Sequence, residues 1–322
     1  MCAMIIPQRL RPRDVVGLVT PASPVRDTSR IDAGVRYLER NGLRVKLGSH
    51  VRSVYGYLAG ADQERADDLH EMFRDPEVKA VFALRGGYGA TRILPLLDFD
   101  LLRRHPKILV GYSDITALLL SIYARSSLLT FHGPMAAVEF AVDPDPAMEE
   151  LFWDTVFGRK TAPSFAVADA GARRVLRPGF ARGRLLGGNL SLLAAMAGTP
   201  YLPEFTGSLF FIEEIGEEPY RVDRMITQLL QAGVLGGVAG ILAGQFTDCA
   251  PKDPTQPSLS VDDVLRSLSE KLSVPFISGC RIGHVPNSLT LPIGILAELD
   301  AETSSLTFLE PVVANGPSGR DG

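Results

Sequence analysis

A serine stands in the segment Val110-Gly111-Tyr112-Ser113-Asp114-Ile115-Thr116, where an apolar run passes into a helix-like stretch reaching Ala124. A serine on so sharp a strand-to-helix turn projects above its sheet, and the positive end of the following helix supports negative charge beside it. Those are the needs of a nucleophile, and Ser113 is the candidate. The segment is a relative of GxSxG, with Ile115 where that pattern has its second glycine. A Ser-Asp pair before a helix is also an ordinary cap.

A second segment, Leu84-Arg85-Gly86-Gly87-Tyr88-Gly89-Ala90-Thr91, follows another apolar run. Its three glycines free the backbone to turn N–H groups toward an anion or an oxyanion. The GxGxxG order and the GK[ST] ending of nucleotide loops are both absent, which favours the oxyanion role. A tight strand-to-helix turn is the plain alternative.

The segment from Phe210 to Arg221 places Glu213, Glu214, Glu217 and Glu218 directly after an apolar strand. A carboxylate held rigidly there could orient a general base. These spacings do not select one acid, although Glu217 and Glu218, just before Pro219, suit a helix start.

Among the histidines, His50 and His70 have polar surroundings and His105 lies in an Arg-rich turn. His132 follows a strand and could line a site, while His284 sits in a Gly- and Pro-rich loop that could aim a base. Gly187-Gly188-Asn189-Leu190 reads as a turn in which Asn189 caps the next helix and can also donate to substrate.

These residues need a scaffold, and the 322-residue chain is long enough for two packed units. Apolar runs at Val15 to Val19, Leu43 to Leu47, Val78 to Leu84, Ile108 to Tyr112 and Leu128 to Phe131 alternate with helix-period stretches. Ile31, Val35 and Leu38 share one helical face, as do Ala66, Leu69, Met72 and Phe73. Strands alternating with helices predict an α/β domain with a parallel sheet over 1–157, whose strands' carboxyl ends carry the site. The broken stretch 158–178 reads as a linker. A second domain over 179–322 mixes short strands at Leu209 to Glu213, Val238 to Leu242, Ile293 to Leu299 and Leu306 to Leu309 with two helices, and its tail is expected to be mobile after about 311.

Net charge is −4, with no Lys/Arg block suited to nucleic acid or membrane. No apolar stretch is long enough for a spanning helix and no signal peptide is visible, so a soluble cytoplasmic protein is expected. Three cysteines, Cys2, Cys249 and Cys280, have neither disulfide-frame nor zinc spacing. Neither a metal nor a cofactor is expected.

Taken in order, the segments resemble the LD-carboxypeptidase family of serine peptidases from about Asp14 to Leu309. The resemblance rests on Thr20-Pro21-Ala22-Ser23, Arg85-Gly86-Gly87-Tyr88-Gly89, Gly111-Tyr112-Ser113-Asp114, Gly187-Gly188-Asn189-Leu190 and Ile212-Glu213-Glu214-Ile215-Gly216-Glu217. It continues through Pro219-Tyr220-Arg221-Val222-Asp223-Arg224 and Gly283-His284 to Leu291-Pro292-Ile293-Gly294.

It implies a flavodoxin-like N-terminal domain and a smaller, β-rich α/β C-terminal domain, commonly as a homodimer. It also implies a Ser113-Glu213-His284 triad; the Asp114 N–H and one from the glycine loop, that of Gly87, are the expected oxyanion hole for it. The implied activity cuts the L,D bond between diaminopimelate and the terminal D-alanine of muropeptide tetrapeptides during cell-wall recycling. Gly86, Tyr88, Arg85 and Asn189 are candidate substrate contacts, with Arg85, Arg221 and Arg224 able to pair with substrate carboxylates. Glu214 departs from the family pattern, where many relatives carry Asp.

The microcin-immunity branch, acting on peptidyl-nucleotides, would want an aromatic platform; the only tryptophan, Trp153, reads as core. A noncatalytic muropeptide-binding protein would leave Ser113, Glu213 and His284 apart, and a nucleotide-binding protein would use the glycine loop.

Overall fold

The computed structural model describes residues 4–160, 163–169 and 171–315. Cys2 and the tail 316–322 lie outside the described residues. In the first unit β1 (Val15–Val19), α1 (Ser29–Arg40), β2 (Arg44–Leu47), α2 (Asp62–Arg74) and β3 (Val78–Ala83) are followed by α3 (Ala90–Ile93) and α4 (Phe99–Arg104). Then come β4 (Ile108–Gly111), α5 (Thr116–Ser126), β5 (Thr130–His132) and α6 (Pro146–Val156). Strands β1 and β4 are buried throughout, which is why they read as unbroken apolar runs. Helix α2 buries Ala66, Leu69, Met72 and Phe73, the face its spacing marks.

The second unit contains β6 (Ser164–Ala166), β7 (Arg174–Arg177), β8 (Phe180–Asn189), α7 (Leu190–Met196), β9 (Leu209–Ile215), α8 (Pro219–Gln231) and β10 (Gly240–Thr247). It continues with α9 (Val261–Leu272), β11 (Phe276–Ser278), β12 (Leu291–Ile293), β13 (Leu296–Asp300) and β14 (Ser305–Phe308). The first sheet runs β2-β1-β3-β4-β5 in parallel, the flavodoxin-like order, with β12 added antiparallel beside β5. The second runs β6-β14-β13-β8-β9-β10-β11-β7, and its centre, β8 to β11, is parallel.

The structure differs from the sequence reading in four places. Within 158–178, β6 and β7 form the two outer strands of the second sheet. Outer strands are short and half-exposed, so their composition resembles a linker's.

The expected turn at Gly187-Gly188 is the end of the ten-residue strand β8. A Cβ at Gly187 would lie 1.9 Å from the Phe211 carbonyl oxygen, and one at Gly188 would lie 2.5 Å from Thr116 Cγ2. These glycines serve close backbone approach rather than a turn.

The single strand expected at Ile293 to Leu299 divides at Gly294, whose φ is +96° and whose absent Cβ makes room for the Tyr123 ring. One piece joins each sheet, so the chain stitches the two units together. Finally, Val312 and Val313 are buried and the Ala314 N–H bonds Pro7 O at 2.8 Å, so the chain is still docked where a mobile tail is expected to begin.

Candidate active site

Strand β4 ends at Gly111, where a Cβ would lie 2.8 Å from Ile115 Cγ2, and Tyr112 continues extended. Ser113 then takes φ +61°, a left-handed conformation that costs an L residue about 1–2 kcal/mol. This strained step turns the chain straight into a 3₁₀ turn and α5, leaving Ser113 half-buried at the carboxyl edge of the sheet. The buried Asp114 carboxylate accepts the Ala90 N–H at 2.8 Å, tying the Ser113 turn to the end of the glycine loop. Burial raises the Asp114 pKa.

The glycine loop leaves β3 beside this turn. A Cβ on Gly86 would come within 3.2 Å of Ser113 Oγ and 3.3 Å of the Asp114 nitrogen, so glycine keeps the space at the hydroxyl open. Gly87, at φ +114°, presents its Cβ position to Ser23 instead. The Thr20-Pro21-Ala22-Ser23 segment braces the loop: Ser23 Oγ accepts the Tyr88 N–H at 3.0 Å. From below, the buried Arg65 of α2 donates to Pro21 O and Gly89 O. Helical periodicity gave no hint of that arginine, because it reads as one more polar residue of α2.

Strand β9 delivers Glu213, fully buried, opposite Asn189 of β8. Its Oε2 lies 2.8 Å from His284 Nδ1. Gly283, at φ +106°, makes that approach possible, since a Cβ there would sit 2.7 Å from Glu213 Oε2.

Glu214, one residue on, faces the other side of the strand. It accepts Ser191 N–H and O–H, at 2.8 and 2.7 Å, and an Asn189 amide N–H at 3.1 Å. Burial works against a charged His284 imidazole, yet the Glu213 hydrogen bond and the charges of Glu213, Glu214 and Glu139 hold its pKa above the ordinary value. The Tyr112 ring packs edge-on to the imidazole, centroids 4.9 Å apart, while its hydroxyl donates to Glu139 Oε1 at 2.7 Å. Burial raises the Glu139 pKa.

Ser113 and His284 line one cavity of about 460 Å³ together with Arg30, Arg85, Gly86 and Gly87. Ser113 Oγ makes no hydrogen bond among the described residues and faces the cavity. Beneath the site His132 is fully buried between Tyr112 and Phe211, and both ring nitrogens lack a partner among the described residues. Burial lowers its pKa to about 4. A serine at a positive-end turn and a carboxylate-bound imidazole in one cavity are suited to acyl transfer.

The LD-carboxypeptidase N-terminal domain matches residues 16–133 and the family's C-terminal domain matches residues 182–299. A probable murein peptide carboxypeptidase of Bacillus subtilis is 43% identical over 96% of this chain and 96% of its own. The chain belongs to the LD-carboxypeptidase family of serine peptidases. It is accordingly a serine-type carboxypeptidase. A solved muramoyltetrapeptide carboxypeptidase from Oxalobacter formigenes superposes with TM-score 0.80 at 31% identity, over 91% of this chain and 97% of that one. The microcin self-immunity protein MccF, in its wild-type unliganded structure, superposes with TM-score 0.88 at 25% identity, over 96% and 100%.

Several candidate contacts of this LD-carboxypeptidase stand outside the cavity lining. Asn189 is buried and commits its side chain to Glu214 and to the Leu192 N–H, as the cap of α7. Tyr88 is exposed and packs edge-on to Tyr57, centroids 5.4 Å apart. Arg221 and Arg224 lie on α8 around Tyr220, and Arg221 is 3.5 Å from Glu217. Arg30, which no motif in the sequence singles out, lines the cavity. Among the described residues no group of His, Cys, Asp and Glu could hold a metal ion, and no helix is long and apolar enough to cross a membrane.

Proposed function

We propose that Ser113, Glu213 and His284 are the catalytic triad, a reading carried by the 2.8 Å contact of Glu213 with His284, which lines the same cavity as Ser113. His284 takes the Ser113 hydroxyl proton, and Oγ bonds to the scissile carbonyl carbon. The Asp114 and Gly87 N–H groups hold the oxyanion, each lowering the barrier by about 3 kcal/mol. His284 returns the proton to the departing amine. Water then hydrolyses the acyl-enzyme, with His284 again the base and Glu213 stabilising the imidazolium.

The substrate is a muropeptide tetrapeptide, cut at the L,D bond between diaminopimelate and D-alanine, in cytoplasmic cell-wall recycling by a homodimer. Family membership supports this reading, as does the likeness to carboxypeptidases named for murein peptides. The second reading is a microcin-immunity-type peptidase, favoured by the superposition on MccF. Against it, the chain's sole tryptophan, Trp153, is buried beside Phe140, Phe152 and Phe157 and cannot stack on a base.

Incubation with the tetrapeptide and its all-L counterpart, read by mass spectrometry, tests the assignment. Alanine should leave only the former. Equal release from both would remove the L,D specificity, and release from neither would remove the substrate.

A further inference from the structure

Arg30 and Arg85 come from separate elements, α1 and the loop after β3, yet line the same cavity as Ser113. Arg30 Nε donates to Ala137 O at 2.8 Å and its Nη2 to Val138 O at 3.1 Å, leaving Nη1 without a hydrogen bond among the described residues. Arg85 is held in the same manner: Nε donates to Gly86 O at 3.2 Å and Nη1 to Pro24 O at 3.3 Å, leaving Nη2 without a hydrogen bond among the described residues. Neither guanidinium has a carboxylate partner among the described residues.

Main-chain oxygens orient these forks without cancelling their charge. The other charged group on the wall that could do so, Asp27, is turned to the Ser29 N–H and O–H, at 3.1 and 2.6 Å. Two oriented guanidinium groups beside a nucleophile, neither in a salt bridge among the described residues, form a site for a small planar anion, and a carboxylate is the match.

We propose that Arg30 and Arg85 anchor the free C-terminal carboxylate of the substrate, and so restrict cleavage to the last residue. The inference rests on the muropeptide reading above. In a substrate whose last peptide bond is attacked by Ser113, that carboxylate is separated from the scissile nitrogen by a single carbon, so it must lie in the same cavity as the serine. Arg30 also borders an adjoining cavity of about 340 Å³, whose other titratable groups are His284 and the three acids Glu139, Asp143 and Asp145. Those acids repel a carboxylate and leave the arginine side as its place. A main-chain amide in the same position, as in a longer peptide, presents no charge to the two forks.

The test compares the tetrapeptide with its C-terminal amide. Wild type should cleave the acid with kcat/KM about 10- to 100-fold above the amide, the range for a charge-assisted contact. Arg30→Gln and Arg85→Gln should each raise KM for the acid several-fold with a far smaller change for the amide. Calorimetric titration of Ser113→Ala, with and without Arg30→Gln, reads the same preference in binding alone.

Equal cleavage and equal binding of acid and amide would overturn the anchor and leave the muropeptide reading standing. An Arg30→Gln loss shared equally by both ligands would also overturn it. Neither cleavage nor binding of either ligand would remove the muropeptide reading and the anchor together.

Discussion

His284 Nδ1 lies 2.8 Å from Glu213 Oε2, and Glu213 is fully buried at the end of β9. A buried carboxylate with one imidazole partner fixes the ring and its tautomer, since Nδ1 must carry the proton that Glu213 accepts. The triad reading rests on this pair. Glu213→Gln should therefore lower kcat/KM by on the order of 10⁴-fold while the protein folds normally, because the amide keeps the shape and loses the charge. Activity within tenfold of wild type would place the orienting acid elsewhere.

The acid limb of the kcat/KM profile should fall above pH 6.5, since Glu213 raises the pKa of His284 and the base works only when neutral. The sign for stability is opposite. The contribution of the raised His284 is fully present below its unfolded pKa and is lost as pH rises through the folded one. In Glu213→Gln the limb should move to lower pH, measurable in any residual turnover.

His132 should act the other way. Its folded pKa of about 4 lies below its unfolded value of 6.5, so the unfolded chain takes up the proton first and stability is lost as pH falls from 6.5 toward 4. Over that interval the loss approaches about 3 kcal/mol. His132→Phe, which fills the same aromatic slot, should flatten the urea midpoint against pH there; an unchanged slope would assign the acid lability to other groups.

Ser113 sits at φ +61°, so its two inactivating substitutions should differ in stability. Alanine keeps the left-handed strain and glycine relieves it, partly offset by the greater freedom of an unfolded glycine. Ser113→Gly should exceed Ser113→Ala by up to about 1 kcal/mol in urea unfolding, with both lacking turnover.

Gly86 and Gly283 both give way to side chains that touch the site, but with different backbones. The φ of Gly86 is outside the left-handed region, and its Cβ would press on Ser113 at 3.1–3.2 Å. Gly86→Ala should fold well and lose roughly 10- to 100-fold in kcat, as displaced reacting groups do. Gly283→Ala, at φ +106° and 2.7 Å from Glu213 Oε2, should lose stability as well as activity. Parallel thermal melts and kinetics separate the two.

Much of the first unit was legible because its determinants are local. Buried parallel strands such as β1 and β4 must be apolar on both faces, and α2 must repeat its apolar face every three or four residues. The linker reading of 158–178 failed because the partners of β6 and β7 are strands distant in the chain, β14 and β11, which no local pattern of side chains reveals. Arg65 and Arg30 escaped for the same reason: each looks like a solvated helix residue until its helix docks on loops far along the chain.

The sequence by itself determined that a serine would stand between an apolar strand and a helix and that a glycine-rich turn would follow another apolar strand, because short-range sterics dictate each. It left four glutamates open until family resemblance pointed to Glu213. Only the tertiary structure decided the pairing physically, since adjacent residues of β9 face opposite ways and the register of β9 beside β8, with Gly283 close behind, turns Glu213 to His284 and Glu214 to the start of α7.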